Sequence, residues 1–204
     1  MVNVNADVKL FNNNDIMKLF ANRQKINTTM TNKICKKEIW NELKFPNIRC
    51  REDAYIMHEL LSKCDNIAIT EDSYYFYYQR TNSTERKQFD SNRLISIEIG
   101  DRCQKFYKEN YSEFYNEAFL NCYLERIKNM IIEICNKDSV ITHRKDLISI
   151  IKKLRKELKK VNKNMYDKAN LRNLNKIRFF AYFPLISIIF LKCKKVMRCV
   201  KRIH

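Results

Sequence analysis

At 204 residues the chain can bury one core, or one modest domain with an appendage, and is short for two full domains. A composition that is 45% hydrophobic and 12% aromatic excludes a disordered chain, and one Gly with two Pro excludes a P-loop or a dinucleotide-binding fingerprint, which need several glycines for tight turns and close backbone approach. The net charge of +17 is unevenly placed: residues 144–204 carry +16 and residues 1–143 only +1, which points to a polyanionic partner for the tail.

In chain order, residues 15–22 predict a short helix with Ile16, Leu19 and Phe20 on one side. The β-branched run at residues 28–35 predicts a strand, and residues 36–43 a helical turn that ends before Pro46. Ala54, Met57, Leu60, Leu61 and Cys64 recur at helical spacing, which puts Glu52 and Asp53 at that helix's N-terminus. Residues 67–70 and 74–79 predict strands, the second through the aromatic run Tyr74-Tyr75-Phe76-Tyr77-Tyr78. From Ser91 onward the pattern is helical: Leu94, Ile97, Cys103 and Phe106 in one segment, Phe114, Ala118, Cys122, Ile127, Ile131 and Ile134 in the next, and Leu147, Ile150, Ile151, Leu154 and Leu158 in a third. Residues 162–176 read as a polar connector. An uncharged run of 13 residues, 179–191, broken by Pro184, is shorter than the ~20 apolar residues that span a bilayer.

None of the eight cysteines forms a Cys-x-x-Cys pair, and His58, His143 and His204 do not fall at zinc-ligand spacings, so no metal site is expected. Residues 1–6 lack the charged start and apolar core of a signal peptide. Reduced thiols and a cytosolic location are the expectation.

Three short motifs occur in order: Asn32-Lys33-Ile34-Cys35-Lys36-Lys37, then Arg51-Glu52-Asp53-Ala54-Tyr55 after Phe45-Pro46, then Tyr77-Tyr78-Gln79-Arg80-Thr81-Asn82-Ser83-Thr84. Together they resemble the acceptor half of a bacterial family 2 glycosyltransferase, over roughly residues 8–106. The resemblance implies an α/β, mostly helical fold in which residues 1–108 form a partial GT-A-like core with few strands. A helical extension at 109–161 and a basic, membrane-associating tail at 162–204 come after it. The resemblance also implies inverting transfer of a sugar from a nucleotide sugar to a hydroxyl of a surface glycan or lipid-linked acceptor. Asp53 stands at the catalytic-base position, where a carboxylate takes the acceptor proton as the hydroxyl attacks the anomeric carbon. Glu52 would orient the acceptor loop, Lys33 would bind acceptor or phosphate, and Arg80, Asn82 and Ser83 would face the donor diphosphate, with a guanidinium suited to bidentate contact. The complete enzyme would use Mg²⁺ or Mn²⁺ with its nucleotide sugar. No Asp-Xaa-Asp occurs in the chain, and the nucleotide-sugar half is expected on residues outside it, so this chain alone is expected to be inactive.

The tail has two readings. An apolar run with aromatics at one end and Lys192, Lys194, Lys195, Arg198, Lys201 and Arg202 at the other fits peripheral attachment to an anionic membrane at the inner face of the cell envelope. Nucleic acid is the less favoured partner, because no helix-turn-helix, zinc finger or RNA-binding strand motif is present. A non-catalytic helical module working through this tail is the alternative to the enzyme.

Overall fold

A computed structural model of the chain describes residues 8–70, 78, 88–136, 139–162, 164, 166–187, 189–191 and 193. The fold is mostly helical, with one two-stranded antiparallel sheet among the described residues. Strand β1 (Val8–Asn12) pairs with β2 (Asn66–Thr70) in the register Val8 with Thr70 and Asn12 with Asn66.

Helix α1 (Asn13–Ala21) starts where the Asn12 side chain accepts the Asp15 N–H at 2.9 Å, satisfying one of the free donors of its first turn. Helix α2 (Glu52–Ser62) comes after a short 3-10 turn at Lys37–Asn41 and the Pro46 break. The Asn13 amide of α1 donates to the Cys64, Ser62 and Leu61 carbonyls, closing the C-terminal end of α2 from outside. A 3-10 turn at Ser91–Leu94, opened by the Asp90 side chain, leads into α3 (Ile95–Asn110). After another 3-10 turn at Ser112–Phe114, a continuous helical rod is made of α4 (Tyr115–Glu117), a wide-turn π segment (Ala118–Leu124) and α5 (Glu125–Asn136). Helices α6 (Arg144–Leu158) and α7 (Lys168–Tyr182) complete the described fold, and Asp167 caps α7 by accepting the Asn170 N–H at 2.7 Å.

Two apolar clusters result. The first gathers Ile16, Met17 and Phe20 of α1, Met57, Leu60 and Leu61 of α2, and Cys103 and Tyr107 of α3. The second gathers Ile127, Ile131 and Ile134 of α5, Leu147, Ile150 and Leu154 of α6, and Leu174 and Ile177 of α7. Each such side chain taken fully out of water contributes about 1.5–3 kcal/mol before chain entropy is set against it. The π segment serves both, sending Ala118 and Cys122 to the first cluster and Phe119, Leu120, Tyr123 and Leu124 to the second. Gly100 of α3 lies against it, where a Cβ would sit 2.7 Å from the Cys122 carbonyl oxygen; the chain's one glycine is what lets the two backbones touch.

Two expectations are corrected. Residues 28–35 do not form a strand: among the described residues no partner strand lies beside them, Ile34 is fully exposed, and the Lys33 N–H closes a turn on the Met30 carbonyl at 3.0 Å. β-Branched residues favour a strand only where a pleated neighbour is available to pack on. Residues 162–176 are not all connector, because the Asp167 cap starts α7 inside them and Leu174 is fully buried. The expected strand at 74–79 lies outside the described residues, apart from Tyr78.

Candidate functional site

The opening turn of α2 is unusual. Arg51, just before it, adopts the left-handed conformation at φ 64°, which costs a non-glycine residue energy and needs outside support. That support is an ion cluster: Arg51 Nη2 bonds Glu133 Oε2 at 2.8 Å, and Arg93 Nη1 bonds Glu133 Oε1 at 2.5 Å. All three side chains are largely buried, so α5 holds the residue that sets the entry to α2.

Held this way, Glu52 is exposed and Asp53 is half-buried. Asp53 Oδ1 accepts the Ala54 N–H at 2.6 Å, the bond expected of a carboxylate at a helix N-terminus. Among the described residues no other hydrogen bond involves the Asp53 carboxylate, which leaves Oδ2 open to accept one. Lys33 is folded back on its own loop, its Nζ donating to the Thr29 carbonyl at 2.6 Å and to the Asn27 and Asn32 side chains at 2.9 Å each. Burial lowers the Lys33 pKa, while Cys35 and Asp53 nearby hold it up. Lys33 and Asp53 thus share an electrostatic neighbourhood without forming a direct ion pair. Arg80, Asn82 and Ser83 lie outside the described residues. Among the described residues no three His, Cys, Asp or Glu side chains come together to hold a metal ion.

Residues that the motifs did not single out also frame this region. Glu133 of α5, 82 residues along the chain from Arg51, positions the start of α2 through Arg51 together with Arg93, and Arg23 and Arg126 approach from the loop after α1 and from α5. No local pattern could have flagged them, since their roles come from tertiary placement, although Arg51 is adjacent to Glu52.

A second surface lies at α7 and the residues after it. Helix α7 and the helical stretch Pro184–Leu191 meet at a bend of 107°. Ser187 Oγ donates to the Phe183 carbonyl at 2.9 Å across the bend, and Arg155 of α6 clamps the end of α7 by donating to the Ala181 carbonyl at 2.7 Å. Phe179, Tyr182, Phe183, Leu185, Ile186, Ile189 and Phe190 are all exposed there, Leu185 at 75% and Ile189 at 62%. Scattered exposed apolar residues are ordinary, but a contiguous set of this size marks an interaction surface. Among the described residues no single helix is long and apolar enough to cross a membrane.

No protein-family model, curated protein or solved structure matches the chain.

Proposed function

We propose that this chain does the acceptor-side work of a family 2 glycosyltransferase, together with a nucleotide-sugar-binding half, in inverting transfer to a hydroxyl of a surface glycan. In this reading the α/β-type core around the β1–β2 pair is a partial GT-A core. Asp53 removes the acceptor proton, Glu52 orients the acceptor, and Lys33, Arg80, Asn82 and Ser83 supply positive charge and hydrogen bonds toward acceptor and leaving diphosphate. The observation that supports it most is the half-buried Asp53 carboxylate at the mouth of α2, with one oxygen tied to its own helix, the other open, and Lys33 beside it. A base must reach its proton within hydrogen-bond distance, and an oxygen without a bond to its own helix has both lone pairs for that. The donor's Mg²⁺ or Mn²⁺ would come with the other half, where it would offset charge on the leaving diphosphate.

The test is Asp53→Asn in the enzyme assembled with its donor-binding half. Asn keeps the backbone bond but cannot take the proton, so turnover should fall by about 10²–10⁴ with an unchanged circular dichroism spectrum. Near-normal turnover overturns the assignment.

The exposed apolar edge at residues 179–190 favours a second element of the reading, peripheral attachment to an anionic membrane on the cytoplasmic side. Apolar insertion and headgroup attraction act together, each nearby cation contributing about 1 kcal/mol. Deleting residues 177–204 should release the protein from anionic vesicles. Replacing Lys192, Lys194, Lys195, Arg198, Lys201 and Arg202 by Gln should weaken binding and remove most of its salt dependence. Equal binding to neutral and anionic vesicles overturns this, and salt-sensitive binding to RNA or DNA in its place moves the function to a nucleic-acid-binding helical module.

A further inference from the structure

Between the end of α1, the loop after it and the junction of the π segment with α5 lies a cavity of about 20 Å³, lined by Arg23, Arg126, Asn27, Thr28 and Cys122 over Phe20. Its size admits one oxygen-sized atom, a water taking ~10–15 Å³ on this scale, and not a sugar ring or a nucleoside.

The charges around it do not balance. Among the described residues Arg126 Nε is shut off from solvent with no hydrogen-bond partner, and its Nη1 reaches only Ser96 Oγ, at 3.4 Å. A guanidinium presents five N–H donors and cannot shed its proton to escape burial. Arg23 lines the same cavity from a left-handed backbone at φ 53°. Among the described residues neither guanidinium is paired with a carboxylate. Burial depresses Arg126; Arg23 and Arg51 push the same way, and only the thiols Cys122 and Cys103 oppose them. A buried guanidinium without a carboxylate, with a second guanidinium on the same small void, is a costly arrangement for Arg126 unless an anion sits beside it.

We infer that this cavity is an oxyanion site, in which Arg126 and Arg23 bind a phosphate group that places one oxygen in the void, with the Asn27 and Thr28 side chains at its rim. The void takes one oxygen of the phosphate, free or carried by a larger molecule, and the rest of the group stays at the exposed Arg23 side. This inference stands apart from the transferase reading: the site would exist whether or not Asp53 is a base.

Titration calorimetry of the full chain, at constant ionic strength in chloride, with inorganic phosphate in one arm and uridine diphosphate in the other, tests it. Saturable binding is expected in at least one arm. Arg23 is exposed, so Arg23→Gln should keep the fold and weaken that binding about tenfold, the loss expected for a charge-assisted hydrogen bond. Arg126→Gln should abolish it, with circular dichroism checking its fold. Tighter binding of the diphosphate, lost in the same variants, assigns the oxyanion to a nucleotide; equal binding assigns it to free phosphate. The inference is overturned if neither probe binds saturably, or if Arg23→Gln binds as well as the unaltered chain, which would trace the signal to the basic tail. It is also overturned if phosphate fails to bind and Cys122→Ala destabilises the protein at neutral pH more than at acid pH, because the Cys122 thiolate would then be the counter-charge.

Discussion

In the first core, polar side chains fasten the helices across long stretches of chain: Asn13 closes α2, Tyr107 Oη donates to the Met17 carbonyl at 2.7 Å, and Tyr111 Oη donates to Asn13 Oδ1 at 2.8 Å. In the second core, α5, α6 and α7 meet mainly through Ile and Leu side chains at helical spacing, most charged residues of α6 other than the buried Glu157 face outward, and the polar ties gather at α7, where Asn121 meets Asn170 and Asn173 and Arg155 holds the Ala181 carbonyl. The second is a generic solution to burying amphipathic helices, tolerant of apolar exchange. The first fixes particular atoms in particular places, which a site requires and a plain bundle does not. Both candidate sites, at Asp53 and at Arg126, border the first core.

The sharpest way to break this contrast is at the joint between the cores. Glu133→Ala would remove the carboxylate that bridges two largely buried guanidiniums, Arg51 and Arg93, and should cost about 3–5 kcal/mol. Because it frees the entry to α2, the loss should fall on the first core. Trp40, the chain's one tryptophan, packs against that core, so its fluorescence should report unfolding at lower denaturant than far-UV circular dichroism does. Coincident transitions would mean that the two cores are one cooperative unit.

A smaller effect is expected at the seam. Gly100→Ala puts a methyl group 2.7 Å from a backbone carbonyl that cannot rotate away, so α3 and the π segment must separate. The expected cost is about 1–3 kcal/mol, felt equally by both spectroscopic probes because both cores share the seam.

The smallest effect near neutrality comes from His58, which sharpens the contrast through pH. His58 is buried on α2 against Phe106, with neither ring nitrogen hydrogen-bonded among the described residues, and burial, with Arg102 and Arg126 near it, pushes its pKa down to about 3. Glu59 Oε1, 3.7 Å away, is bound by Arg102 and offsets little of this. Between pH ~6.5 and ~3 the unfolded chain therefore binds the proton that the folded chain refuses. This contribution to stability is fully present above pH ~6.5 and is lost on acidification, at up to about 1.4 kcal/mol per pH unit. His58→Leu should flatten that part of the stability profile relative to the unaltered protein; parallel profiles would show that the ring is protonated in the fold.

The second core was largely legible in advance, since the spacing of Ile127, Ile131 and Ile134 and of Leu147, Ile150 and Leu154 is what helical burial demands. The start of α7 was not, because its polar first turns hide a buried face behind the Asp167 cap. Strand β2 was expected, but its partner Val8–Asn12 was not: pairing between segments this far apart in the chain leaves no local mark. The run at 28–35 misled because β-branching signals strand only when a partner exists. At the site, the position of Asp53 on the first turn of α2 followed from apolar spacing alone. The supports Arg51, Glu133 and Arg93 and the pair Arg23 and Arg126 carry no periodic signature, since burial and tertiary approach define them.

The π segment bears on how much change the chain can absorb. Each residue of a regular helix turns the chain by about 100°, and the wider winding of Ala118–Leu124 sets the rotational phase of α5 relative to α4. A single-residue deletion in the regular winding of α5 before Ile127 would leave a good helix of nearly the same length, yet it would swing the α5 isoleucines about a quarter turn from α6 and α7 and carry Glu133 away from its two arginines. The rod tolerates exchange of its side chains far better than any change in their number.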